Sequence, residues 1–330
     1  MLRSALLTFR MHRFEVLITS ALVVLTAISA MVAYTHVTAA NPPDECWIQN
    51  WEYETPRIPG CEALVQAFWP VASQAGFVAS PIAVLLPFVV GLLLGVPVVG
   101  REIEMRTATL AWSLSGDRRR WLLARLLPIL ALAGIGLVIA ALSVAEMARA
   151  AHPFNYLGPG RIPSLTEIGS EGPSLVGRGV MALGIAVLAG AVIGRTLPAF
   201  AVSAVLSFVF LFAGVPVVQT VLGSQLAVWR EDPTDRGSPS LYTGQYRQEF
   251  RHRDGRIIDE QVLWESGEEL CGCTGHEFEE WMEENITRVE LAVPIEAYGI
   301  FEATETAITS GIGTVAILLT FPVVARRRPD

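Results

Sequence analysis

Residues Phe77–Val99 read FVASPIAVLLPFVVGLLLGVPVV, without one charged side chain. Directly after them the chain turns polar, as Gly100-Arg101-Glu102-Ile103-Glu104-Met105-Arg106-Thr107-Ala108-Thr109-Leu110-Ala111-Trp112-Ser113-Leu114-Ser115, followed by Gly116, Asp117, Arg118–Arg120 and Trp121. An uninterrupted apolar run of this kind matches the roughly 20 residues an α-helix needs to cross the hydrocarbon core of a bilayer. Working outward, five more such runs appear at 16–37, 122–145, 175–194, 198–222 and 307–324. The run at 175–194 contains Arg178, whose long side chain is expected to snorkel to the interface. Lipid supplies no partner for backbone N–H and C=O groups, so each run is read as a helix. The period-2 alternation of a membrane barrel is absent. The expected fold is an all-α polytopic membrane protein with six transmembrane helices, forming a single transmembrane domain over 1–330.

Composition agrees. The 330 residues are 52% hydrophobic and 17% charged, below the roughly 25% charge of a soluble domain, which excludes an ordinary cytosolic enzyme. All 24 basic residues are Arg. A P-loop needs a Lys on the β/γ-phosphates and a pyridoxal enzyme needs a Schiff-base Lys, so both are excluded. A net charge of −8 argues against nucleic acid, which selects a basic face.

The Arg distribution sets an expected orientation. Residues 1–15, 100–125, 195 and 326–330 carry a balance of +8, and the rest of the chain carries −16. The positive-inside rule then places both termini in the cytoplasm and a large loop, 223–306, outside between helices five and six. Residues 1–15 are expected to be a cytoplasmic amphipathic segment, with Leu2, Leu6 and Phe9 at near-helical spacing among Arg residues. The first apolar run exceeds the 7–15 residues of a signal-peptide core, so it is read as a retained span.

All four Cys fall in predicted outer loops: Cys46 and Cys61 in the first, Cys271 and Cys273 in the large one. An oxidising exterior suits disulfides. A Cys46–Cys61 bridge and bridging between loops or protomers both stand at this level. Cys271-x-Cys273-x-x-His276 lacks the usual zinc spacing, so no metal is assigned. In the large loop, Phe278, Trp281 and Met282 recur at i, i+3, i+4 and predict one short amphipathic helix.

Most catalytic constellations are missing. There is no H-E-x-x-H, no His near mid-membrane for a Ser–His pair, and no carboxylate near the centre of a span to carry ion coupling. Gly91-x-x-x-Gly95 and Gly190-x-x-x-Gly194 permit close helix contact, either within one bundle or at a dimer face. Glu302 and Glu305, entering span six, are read either as a polar outer gate or as interfacial carboxylates in water.

The segment after span two is the most specific feature. Its carboxylates precede its arginines, which suits the dipole of a short surface helix. It resembles the corresponding segment of type-2 ABC transporter permease subunits of the six-span sort common in actinobacteria, of form R-E-x-E-x-G-T-x-x-L-A-W-x-x-S-x-x-R-x-x-W. Arg101, Glu102, Glu104, Thr107, Leu110, Ala111, Trp112, Ser115, Arg118 and Trp121 match it, and Arg106 stands where the family usually has Gly. A weaker resemblance covers Phe301–Thr306 entering span six.

The resemblance implies a permease of an ATP-driven exporter in a bacterial plasma membrane. It implies a cytoplasmic ABC ATPase subunit as partner and a second permease subunit, identical or not. Arg101, Glu102, Glu104, Thr107, Trp112 and Ser115 would form the coupling segment that meets the ATPase, and Arg118, Arg119 and Arg120 would anchor to membrane lipids. No cofactor is expected in this chain; ATP and Mg would sit on the partner. The same sequence is open to a second reading, a membrane scaffold or sensor whose outer loop binds a ligand or protein. Locally, Glu102 and Glu104 could instead pair with Arg101 or Arg106 along their own helix.

Overall fold

The computed structural model describes residues 9–43, 45–46, 59–108, 112, 117–151, 172–231, 240–241, 247–259, 263, 271–272, 276–294 and 297–327. The chain divides into two compact units, one of Met1–Phe154, Glu167–Pro216 and Glu302–Asp330, the other of Asn155–Thr166 and Val217–Phe301.

Six helices are long and apolar enough to cross a membrane. They are α1 (Arg13–Ala40), α2 (Cys61–Glu104), α3 (Arg118–Ala151), α4 (Gly172–Ile193), α5 (Thr196–Leu226) and α7 (Tyr298–Arg326). The helical polytopic fold expected from the apolar runs is therefore present. Most of the helices outrun their apolar cores, because their ends are helical but polar. The second begins at Cys61 rather than near Phe77.

The helices alternate in direction, so α1, α3 and α5 start at the arginine-rich end and α2, α4 and α7 finish there. Most of the apolar stretch of α2 within Ile82–Glu104 and most of that of α4 is buried inside the protein, while the other four expose most of theirs. Glycine explains why α2 and α4 sit centrally. A Cβ on Gly91 would lie 2.6 Å from the Leu183 backbone nitrogen, and one on Gly95 would lie 2.7 Å from Ala186 Cβ. On the facing helix, a Cβ on Gly190 would lie 2.9 Å from the Val96 carbonyl. Gly91, Gly95 and Gly190 thus serve close packing within the chain.

In α5, Phe210–Gly214 forms a π-turn, with Val215 N–H donating to Phe210 O. Pro216 follows at once. It has no N–H to continue the ladder, and the turn before it widens. A Cys46–Cys61 disulfide staples the end of the α1 connection to the first residue of α2. Cys271 is also disulfide-bonded; Cys273 lies outside the described residues.

The second unit contains a sheet that the composition-based reading of 223–306 did not anticipate. Strands β1 (Val228–Glu231), β2 (Ser240–Leu241), β3 (Arg247–His252), β4 (Ile257–Ile258) and β5 (Ile286–Pro294) pair antiparallel in the order β1-β5-β3-β4, with β2 also on β5. Two local signals account for it. Val289, Leu291 and Val293 recur with period 2 along β5. Asp254-Gly255 is a hairpin signal between β3 and β4, and Gly255 adopts φ +87° there. The Asp254 carboxylate accepts bonds from the Arg256 N–H and guanidinium, which hold it down to about 2. Helix α6 (His276–Asn285) forms at the spacing predicted for it, with Phe278 and Trp281 stacked at 6.1 Å.

Candidate functional site

The segment expected to couple begins where α2 stops. Met105 N–H closes on Arg101 O, Arg106 turns to φ +57°, and the Thr107 hydroxyl donates to Glu102 O at 3.2 Å. Arg106 therefore occupies the left-handed region that favours glycine. This explains why the resembling motif has Gly there, and the turn survives the substitution. Met105, Arg106 and Thr107 are exposed.

The side chains just before this turn reach three other helices. Arg101 Nη1 lies 3.1 Å from Glu15 Oε1 on α1. Glu102 is buried and lies 2.8 Å from Arg125 Nη2 on α3. The Glu104 carboxylate accepts the Thr196 N–H at 2.9 Å and the Thr196 hydroxyl, at the start of α5. An acidic group there meets the positive end of the α5 dipole and one of its unsatisfied N–H groups. Glu102 and Glu104 thus reach across to other helices, where pairing along α2 was the local alternative.

The linkage continues from α3. Arg118 Nη1 donates to Val324 O, Ala325 O and Arg327 O, at 3.3, 3.0 and 2.6 Å, and so caps the end of α7. Arg327 Nη1 donates in turn to Ala191 O at 2.5 Å, capping the end of α4. Its guanidinium occupies the space where a Cβ on Gly194 would sit, and Gly194 itself has φ +67°. Cationic groups at helix C-termini are favourable for the same dipole reason. Together these contacts run α1–α2–α3–α7–α4 with a branch from α2 to α5, so all six spans are joined at the arginine-rich end.

The lipid-facing roles expected for the arginine triplet divide accordingly. Arg118 is engaged by carbonyls and stacks over the Trp112 ring at 4.6 Å, while Trp112 and Trp121 meet edge to face at 5.8 Å. Arg119 and Arg120 are exposed on the first turn of α3. Ser115 lies outside the described residues.

Close to Glu15, Arg101 and Arg125 lies a further buried polar group, His12. His12 is 3% exposed, and neither of its ring nitrogens has a hydrogen-bond partner among the described residues. The same holds for both Glu102 oxygens and for Glu15 Oε2. The Glu102–Arg125 contact is thus an ion pair without hydrogen-bond geometry. Burial pushes the His12 imidazole below its ordinary value; Glu15 pulls it up, and Arg125 and Arg101 push it further down.

The opposite end of the bundle holds a different pair. Arg178 Nε and Nη2 both donate to Glu305 Oε1, at 3.0 and 2.7 Å. Both residues are buried, at 4% and 0% side-chain exposure. The expectation that Arg178 snorkels to the interface is thereby corrected, as is the alternative that Glu305 stands in water: each neutralises the other inside the protein. Glu302 is half-buried one turn before Glu305, against Gly172 at φ +63°.

Arg125, Arg178, Thr196 and Arg327 were not singled out from sequence as functional. Arg178 carried a usable signal, since a lone charge inside an apolar span generally has a partner. Arg125, Thr196 and Arg327 sit at helix ends where charge is ordinary, and only the fold shows which ends meet.

No curated protein and no solved structure matches the chain. The model of the family described as ABC-2 membrane transporter related matches residues 19–232, a region that holds α2 to α5, most of α1 and the polar segment after α2. The chain belongs to that family and is a permease-type membrane component of the ABC transporter class.

Proposed function

We propose that this chain is the membrane-spanning permease subunit of an ATP-driven exporter in a bacterial plasma membrane, coupled through the turn after α2 to a separate cytoplasmic ABC ATPase. The observation that carries this is the continuous web of contacts from Arg101, Glu102 and Glu104 to all six spans. A push on the exposed turn Met105–Thr107 is delivered to the ends of α1, α3 and α5 at once, and through Arg118 and Arg327 to α7 and α4. In this reading the exposed turn meets the ATPase, and the buried Glu102 braces it. ATP and Mg sit on the partner, because a chain without Lys cannot build a P-loop. A second permease subunit completes the translocation path, and Arg119 and Arg120 face anionic lipid.

The test starts from the full chain, purified from its native membrane in mild detergent. An ABC ATPase should copurify and hydrolyse ATP. The Glu102→Ala chain should retain that ATPase while losing the dependence of its hydrolysis rate on the permease. Absence of an ABC ATPase from the purified complex, or unchanged coupling in Glu102→Ala, would overturn the proposal.

A further inference from the structure

The contact between α4 and α7 changes character along its length. At the arginine-rich end it is fixed by Arg327 on Ala191 O. In the middle, Gly184 and Gly313 put backbone against backbone: a Cβ on Gly184 would collide with Gly313 O, and one on Gly313 with Val180 O. No side chain or water fits there. Nearer the other end the seam turns polar. Arg178 pairs with Glu305, Ser174 Oγ and Thr306 Oγ1 lie 3.4 Å apart, and Thr309 Oγ1 donates to Glu305 O at 2.9 Å. Gly177 lets these groups close up, since a Cβ there would lie 3.2 Å from Thr306 O.

A buried ion pair is a poor way to hold two helices together permanently. Desolvating both charges consumes most of their attraction, and a well-packed apolar pair of similar volume holds as well or better. What the charged pair changes is the alternative state. If the helices part and water enters, an apolar seam must hydrate hydrocarbon, whereas Arg178 and Glu305 recover their hydration. Dry and closed, they satisfy each other; wet and open, water satisfies both. That is a two-state element, and Ser174, Thr306 and Thr309 line the same strip with groups that accept water.

We infer that the Arg178–Glu305 half of the α4–α7 seam is a water gate, closed by this ion pair and opening above a fixed pivot at Gly184 and Gly313. The gate belongs to the permease reading, where it faces the outer side. Its test needs only the isolated chain, so failure to find an ATPase partner and failure of the gate are separate results.

The full chain is reconstituted in nanodiscs with Thr306→Cys as reporter and treated with a charged, water-soluble methanethiosulfonate. Cys46, Cys61 and Cys271 are already disulfide-bonded. Thr306→Cys should be modified at a measurable rate. In the same background, Arg178→Met with Glu305→Leu should slow modification about tenfold or more while leaving the thermal midpoint equal or higher, because an apolar seam favours the closed state. If that variant fails to fold, the exchanged pair, Arg178→Glu with Glu305→Arg, decides: it should be modified at close to the rate of Thr306→Cys alone. A Thr306→Cys chain that is never modified, an apolar variant modified as fast as the charged one, or an exchanged pair that is not modified would each overturn the gate.

Discussion

Two arginine–glutamate pairs lie at opposite ends of the bundle, and they are held differently. Arg178 donates two hydrogen bonds to one oxygen of Glu305, on helices already pressed together by glycine. Arg125 touches Glu102 at 2.8 Å, yet neither Glu102 oxygen accepts a hydrogen bond from a described residue. A satisfied pair favours one geometry strongly, whereas a pair held by charge alone tolerates rearrangement of its neighbours. The difference teaches where each end can give. The Glu102 end can shift its contacts while the six spans stay linked, as a coupling surface requires. The Arg178 end has two discrete states, paired or hydrated.

The largest expected effect tests whether the Glu102 pair is structural despite its loose geometry. Arg125→Met leaves a buried carboxylate without its cation and should cost about 3–5 kcal/mol of stability. Adding Glu102→Gln should recover most of that loss in thermal unfolding of the detergent-solubilised chain. A single variant as stable as the parent would mean that Glu102 carries no charge in the folded protein.

At the other end, stability also comes from a covalent staple. Cys46→Ala opens a disulfide that spans 15 residues of chain and should lower stability by about 3 kcal/mol. The difference from the parent should vanish in reductant. A difference that persists in reductant would assign the effect to the lost Cys46 side chain rather than to the bridge.

The smallest effect sharpens the picture of the coupling turn. Arg106 holds a left-handed conformation, which for a non-glycine residue costs about 1–2 kcal/mol. Arg106→Gly should therefore be more stable than Arg106→Ala by about 1 kcal/mol. Equal stabilities would show that the turn relaxes out of that conformation.

The membrane part of the fold was legible in the sequence because hydrocarbon imposes a single rule. Runs such as Phe77–Val99 must be helical, and the structure places a helix over each of them. The sheet of the second unit was less legible. Its signals at Asp254-Gly255 and along β5 are short, and the surrounding acidic and arginine-rich composition reads as loop. The proposed coupling site was half legible. Arg101, Glu102, Glu104 and Thr107 stood out by their order, and the structure brings all four to one helix end. Their partners did not stand out, because Glu15, Arg125 and Thr196 are each far along the chain and each unremarkable at a helix end. The same holds for Arg178 and Glu305, which lie 127 residues apart: nothing local couples them, and only the glycine-lined approach of α4 to α7 makes the pair.

The central claim, that the turn after α2 moves several spans together through its carboxylates, is tested most directly by a distance measurement. Nitroxide labels at Arg119→Cys and Leu197→Cys, both exposed at the arginine-rich end, report the separation of α3 and α5 in the nanodisc complex with its copurified ABC ATPase. Addition of ATP and vanadate should shift that separation in the otherwise unmodified chain. It should leave the separation unchanged when Glu102→Ala and Glu104→Ala are both present and the ATPase is still bound. A nucleotide-driven shift that survives both substitutions would contradict the account.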